Sequence, residues 1–89
     1  MNKKIDCTLE TRARLLGLTH LLGYDHCQMG YYLLDKKLIP EAQSEFLKVV
    51  ELNPDMIQAW EGLAHIADLN HDTPAKEYYL SKITRLKKG

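Results

Sequence analysis

No run of apolar residues in this 89-residue chain approaches the roughly 18 that a membrane-spanning helix requires. Met1 to Ile5 carries Lys3 and Lys4 without the apolar stretch of a secretory signal behind them. The two absences together give the expectation of a cytoplasmic protein with no membrane contact. Cysteine is scarce: Cys7 and Cys27 are too few for a disulfide scaffold and lack CxxC spacing, so both read as reduced thiols. Net charge is absent too, because twelve basic residues cancel twelve acidic ones, and the simplest case for nucleic-acid binding goes with it. A glycine-rich phosphate loop is missing. The pairs Tyr31-Tyr32 and Tyr78-Tyr79 have few cations near them, which argues against a stacking platform for single strands.

What remains is a composition of 45% hydrophobic and 27% charged residues, that of one small globular domain. The charge is uneven along it. Residues 41 to 72 carry seven acidic residues against Lys48 alone, a balance near −6, and residues 73 to 89 carry five basic residues against Glu77, near +4. A solvated acidic face and a basic helix end account for this plainly; attraction between copies, or a basic partner on the acidic region, is the functional alternative.

Apolar residues recur at intervals of three and four throughout, and no stretch alternates as a half-buried strand would. The pattern predicts an all-α fold. A first helix capped by Asp6 or Thr8 runs through Leu9, Ala13, Leu15, Leu16, Leu18, Leu21 and Leu22 to a stop at Gly23. Asp25, with Gln28 three residues on, reads as a capping box for a second helix reaching about Lys37. Pro40 fits the first turn of a third helix that ends near Leu52, and Asn53-Pro54 repeats this stop-and-start signal before a fourth that ends near Asn70. Thr73-Pro74 opens the fifth, whose Arg85, Lys87 and Lys88 suit the negative end of a helix dipole.

The chain is self-similar. Met29-Gly30 returns as Leu63-Ala64 after 34 residues, and Ala42, Phe46 and Leu47 return as Ala75, Tyr79 and Leu80 after 33. Small residues at Gly30, Ala42, Ala64 and Ala75 let helices approach, while Phe46, Trp60 and Tyr79 fill the space beside them. These positions resemble the tetratricopeptide repeat family. Residues 23–56 look like one repeat, with Met29-Gly30, Leu33, Ala42, Phe46, Val49 and the closing Pro54; residues 57–89 look like a second, with Trp60, Leu63-Ala64, Ala67, Ala75 and Tyr79. His26 and Lys82 depart from the pattern, and the second repeat has no closing proline.

The resemblance implies two helical hairpins in a right-handed stack, preceded by an N-terminal helix over 1–22, in a single domain. It also implies a non-enzymatic role in binding a peptide or partner helix, without cofactor or metal. The groove positions it carries over are Tyr24, Cys27, Tyr31 and Leu34 in the first repeat and Gln58, Glu61, His65 and Asp68 in the second. The lysines and asparagines with which the chaperone-binding subgroup holds a C-terminal carboxylate are replaced here by Cys27, Tyr31, Glu61 and His65. An apolar and aromatic half beside an acidic half suits a basic amphipathic helix, with Tyr31 and Leu34 as anchors.

Stacked repeats bury their core only through their neighbours, and no helix is expected after the fifth to cap it. Tyr78, Leu80, Ile83 and Leu86 exceed what one partner helix needs, so self-association into a homodimer is the alternative expectation, the chain then being an assembly unit whose copies complete one another. A third reading comes from residues 17–26, which resemble the metal-binding segment of the zinc endoribonucleases of ribosomal RNA maturation. His20 and His26 match two of the three zinc ligands, but the first falls on Leu16, which cannot bind zinc. A non-catalytic site of His20, His26 and Cys27 is disfavoured because adjacent residues 26 and 27 point to different sides of a helix. His65 and His71 each stand three residues from Asp68, a surface-pair spacing, and Glu41 with Glu45 reads as an exposed helix face.

Overall fold

The computed structural model describes residues 23–88, which form four helices and, among these residues, no strand. They are α1 (Tyr24–Asp35), α2 (Ile39–Leu52), α3 (Ile57–Leu69) and α4 (Thr73–Lys88). The helix expected over residues 1–22 lies outside the described residues. Consecutive helices pack on one another, and α1 also touches α3. No helix among the described residues is long and apolar enough to cross a membrane.

Local chemistry sets the ends of each helix. Gly23 is the N-cap of α1 at φ 81°, a left-handed conformation that glycine adopts without a Cβ clash. The expected Asp25–Gln28 capping box does not form. Asp25 is already inside the helix, where its carboxylate accepts the His26 backbone N–H, and the Gln28 amide donates to the Tyr24 hydroxyl at 2.7 Å.

At the other end of α1, Lys37 is left-handed at φ 67°; its N–H donates to Leu34 O and that of Leu38 to Leu33 O. That is a Schellman motif, which closes the orphan carbonyls of the last turn. Exactly one repeat length later, α3 ends the same way: His71 stands at φ 57°, with His71 N–H donating to Asp68 O and Asp72 N–H to Ala67 O.

Pro40 sits in the first turn of α2, as expected. Pro54 does not open α3, which begins three residues later at Ile57. The buried Asn53 organises the link instead: its carbonyl accepts Met56 N–H and its side chain accepts Asp55 N–H. The Pro54 carbonyl is then free to accept the Trp60 indole N–H at 2.7 Å. At the start of α4 the Asp72 carboxylate accepts the Ala75 N–H, so Asp72 caps the helix that Thr73 and Pro74 begin.

The core is centred on Phe46 and Val49 of α2 and Leu63 and Ile66 of α3, all fully buried. Phe46 meets two glycines, Gly30 of α1 and Gly62 of α3, where a Cβ would press into its ring. Both backbones can therefore close on one aromatic side chain. Of the α4 residues expected to be in excess, Ile83 is buried and Leu86 packs against the core, whereas Tyr78 and Leu80 are exposed. Lys82, at the place of the buried Val49 one repeat earlier, lies over the rings of Trp60 and Tyr78 at 5.9 and 5.5 Å.

Candidate functional site

Because α1 and α3 touch, residues on their facing edges are brought together although they are distant in sequence, Tyr31 and Gln58 by 27 positions. A cleft of about 270 Å³ opens there. Tyr24, Cys27, Gln28 and Tyr31 line it from α1, Asp55 and Met56 from the link before α3, and Gln58 from the first turn of α3. A larger depression of about 540 Å³ is shallow and follows the outer face of α2, with Pro40, Gln43, Leu47 and Glu51 in its lining. Convergent side chains from two helices and a loop make the smaller cleft the better candidate.

Tyr31 holds its centre. Its hydroxyl donates to the Gln58 carbonyl at 2.6 Å, and its ring meets Phe46 edge-on at a centroid distance of 4.9 Å. The same side chain thus ties α1 to α3 and forms the wall of the cleft. Burial, followed by the proximity of Cys27 and Glu61, pushes its phenol up to about 12. Cys27, a buried free thiol, is also pushed up, first by burial and then by the Glu61 carboxylate. The thiol is therefore protonated at neutral pH and a poor nucleophile, since the thiolate is the reactive form.

Of the eight groove positions expected from the sequence, Tyr24, Cys27, Tyr31 and Gln58 border this one cleft, and Glu61 is close enough to act electrostatically on two of them. The other three are placed elsewhere. Leu34 is half-buried against the core. His65 is exposed on α3. Asp68 borders a separate depression at the α3–α4 end, where the Lys76 ammonium donates to its carboxylate at 2.8 Å and holds it below the usual range.

Asp55, Met56 and Gln28 were not among the expected residues. The repeat pattern directs attention to one stripe on each first helix, whereas Asp55 and Met56 belong to the loop between repeats; Asp55 could have been found only as part of the acidic stretch.

His26, the described one of the two histidines that match zinc ligands, has its Nδ1 2.7 Å from Glu45 of α2. His20 and Leu16 lie outside the described residues. Among the described residues no three His, Cys, Asp or Glu side chains are grouped to hold a metal ion.

No family model matches the chain, and neither does any curated protein or solved structure.

Proposed function

We propose that this chain is a protein-interaction module of the tetratricopeptide type, with hairpins over 23–56 and 57–89 in a right-handed stack behind an N-terminal helix over 1–22. Two structural facts support that architecture: the Schellman ends at Lys37 and His71, and the closure of α1 and α3 on Phe46 through Gly30 and Gly62. Its role is to bind a peptide or partner helix, without chemistry of its own. The observation that carries the reading is the meeting of Tyr24, Cys27, Tyr31 and Gln58 around a single cleft with Asp55 at its edge and Glu61 close by. Aromatic walls provide contact area at low entropic cost, and the carboxylates select for lysine or arginine. A basic amphipathic helix presents both, now anchored by Tyr24 and Tyr31 in place of Leu34.

The test is a display screen of amphipathic helical peptides bearing lysine or arginine against the full chain, followed by titration of a selected peptide. Tyr24→Ala and Glu61→Lys should each weaken binding about tenfold or more while the dichroism spectrum is unchanged, and added salt should weaken it further. Failure of the screen, or binding indifferent to both substitutions, rejects the reading.

The exposed Tyr78 and Leu80 on α4 favour the second reading, an assembly unit. Light scattering over a concentration series then shows a dimer that Leu80→Glu converts to monomer. Leu86 is unsuitable for this purpose because it packs against the core.

A further inference from the structure

The helix α3 lies between α2 and α4, and both of its apolar sides are covered. Leu63 and Ile66 are each 1% exposed, and Ala59 is fully buried. One repeat earlier, the equivalent residues of α1 are Met29, Tyr32 and Asp25. Met29 is 46% exposed, Tyr32 is 57% exposed and Asp25 faces solvent. Among the described residues, then, α1 has a neighbour on the sides facing α2 and α3 and none that buries this third face.

We propose that residues 1–22 of the same chain seat on the Met29–Tyr32 face, as α2 seats on α3. Chain order supports this occupant. The helix α2 stands immediately before α3, separated by residues 53–56, and the segment 1–22 stands immediately before α1, separated by Gly23. Gly23 at φ 81° redirects the chain at the start of α1, so a preceding segment can fold back alongside it.

Length and composition fit as well. Leu9 to Leu22, wound as a helix, would extend about 21 Å, against about 18 Å for the twelve residues of α1. The segment carries six leucines, at positions 9, 15, 16, 18, 21 and 22. It also carries Arg12 and Arg14, opposite in sign to Asp25 on α1 and Glu45 on α2. The occupant in this proposal is the chain's own segment and not a second copy.

Disulfide trapping in the full chain separates the two. In a background of Cys7→Ser and Cys27→Ala, Met29→Cys is combined in turn with Leu15→Cys, Leu16→Cys and Leu18→Cys, each checked for native dichroism, and oxidised mildly. Bridging requires the Cα atoms to come within about 7 Å. At least one pair should close within a monomer at least tenfold faster than the control in which the partner cysteine is Glu77→Cys on α4. Disulfide-linked dimers in place of closed monomers, or rates equal to the control for all three pairs, overturn the proposal.

A second measurement uses otherwise unaltered protein. Met29→Glu should speed amide hydrogen exchange across residues 9–22 at least tenfold and leave α3 unchanged; equal exchange in that segment also overturns it.

Discussion

The ring of Phe46 comes so close to Gly62 that a Cβ on the glycine would stand 2.5 Å from the Phe46 Cζ; on the other side Gly30 would meet Cε1 at 2.7 Å. Phe46 is fully buried, and its ring is flanked closely by both glycines. Gly62→Ala should therefore destabilise the fold by about 1–3 kcal/mol, the usual cost of overpacking, even though alanine is the better helix former by about 1 kcal/mol. Urea denaturation followed by dichroism measures it. A neutral or stabilising substitution would mean that the α2–α3 contact yields more readily than a packed core should.

Lys37 and His71 hold left-handed conformations that cost a residue with a Cβ on the order of 1 kcal/mol. Both positions are exposed, so replacement by glycine removes that strain and little else. Lys37→Gly and His71→Gly should each stabilise the chain by up to about 1 kcal/mol, less the extra entropy of glycine in the unfolded state. Because the two sites close corresponding ends of α1 and α3 and bond to different carbonyls, those of Leu34 and Asp68, their effects should add in the double variant. Denaturation midpoints of the single and double variants check both statements.

These two sites also show how far the sequence could be read. The helices were legible because apolar periodicity and the prolines mark them, and α2 and α4 begin as those signals indicate. The helix stops after α1 and α3 were legible only approximately, since the glycine that usually announces a left-handed C-terminal residue is replaced by lysine and histidine. Gly62 was missed for a related reason: the self-similar pattern draws the eye to Gly30 and Ala64, whereas the glycine that receives Phe46 has Gln28 as its counterpart one repeat earlier. In the cleft, helical spacing places Tyr24, Cys27 and Tyr31 on one edge of α1, and the α1–α3 contact adds Gln58, the fourth of the eight expected groove residues found there. Asp55 and Met56 escaped because a loop's path follows from hydrogen bonds such as those of Asn53, which no periodicity encodes. Asp68 borders a separate depression, where it meets Lys76, a partner from the next helix that spacing on α3 alone cannot reveal.

The Glu45 carboxylate links α2 to α1 through His26 and also receives Lys48. Burial acts to raise its pKa, but the hydrogen bonds from His26 and Lys48 outweigh burial and hold it below its ordinary 4.5. A carboxylate with a lowered folded-state pKa contributes stability that is complete above the ordinary value and is lost as pH falls through the folded one. Glu45→Gln should thus destabilise the chain near neutrality, and the deficit should shrink below about pH 4.5. Denaturation midpoints of both proteins between neutral and acid pH give the difference; a deficit independent of pH would assign the role of Glu45 to packing.

Tyr31 allows the structural and recognition roles of one side chain to be separated. Tyr31→Phe keeps the edge contact with Phe46 and the aromatic wall of the cleft, and removes only the bond to the Gln58 carbonyl. A neutral hydrogen bond of this kind contributes about 0.5–1.5 kcal/mol, so the variant should lose that much stability while still binding a peptide through its ring. The pH dependence has the opposite sign to that of Glu45. Burial raises the folded-state pKa to about 12 from an ordinary 10, so the contribution of the phenol is whole below pH 10 and is lost as pH rises through 12. Wild-type protein should accordingly lose stability more steeply than Tyr31→Phe in that alkaline window, with phenolate absorbance marking the titration. If the two proteins instead fall in parallel, the Tyr31 hydroxyl is not the group that links α1 to α3, and Tyr31→Ala could then be used as a test of recognition alone.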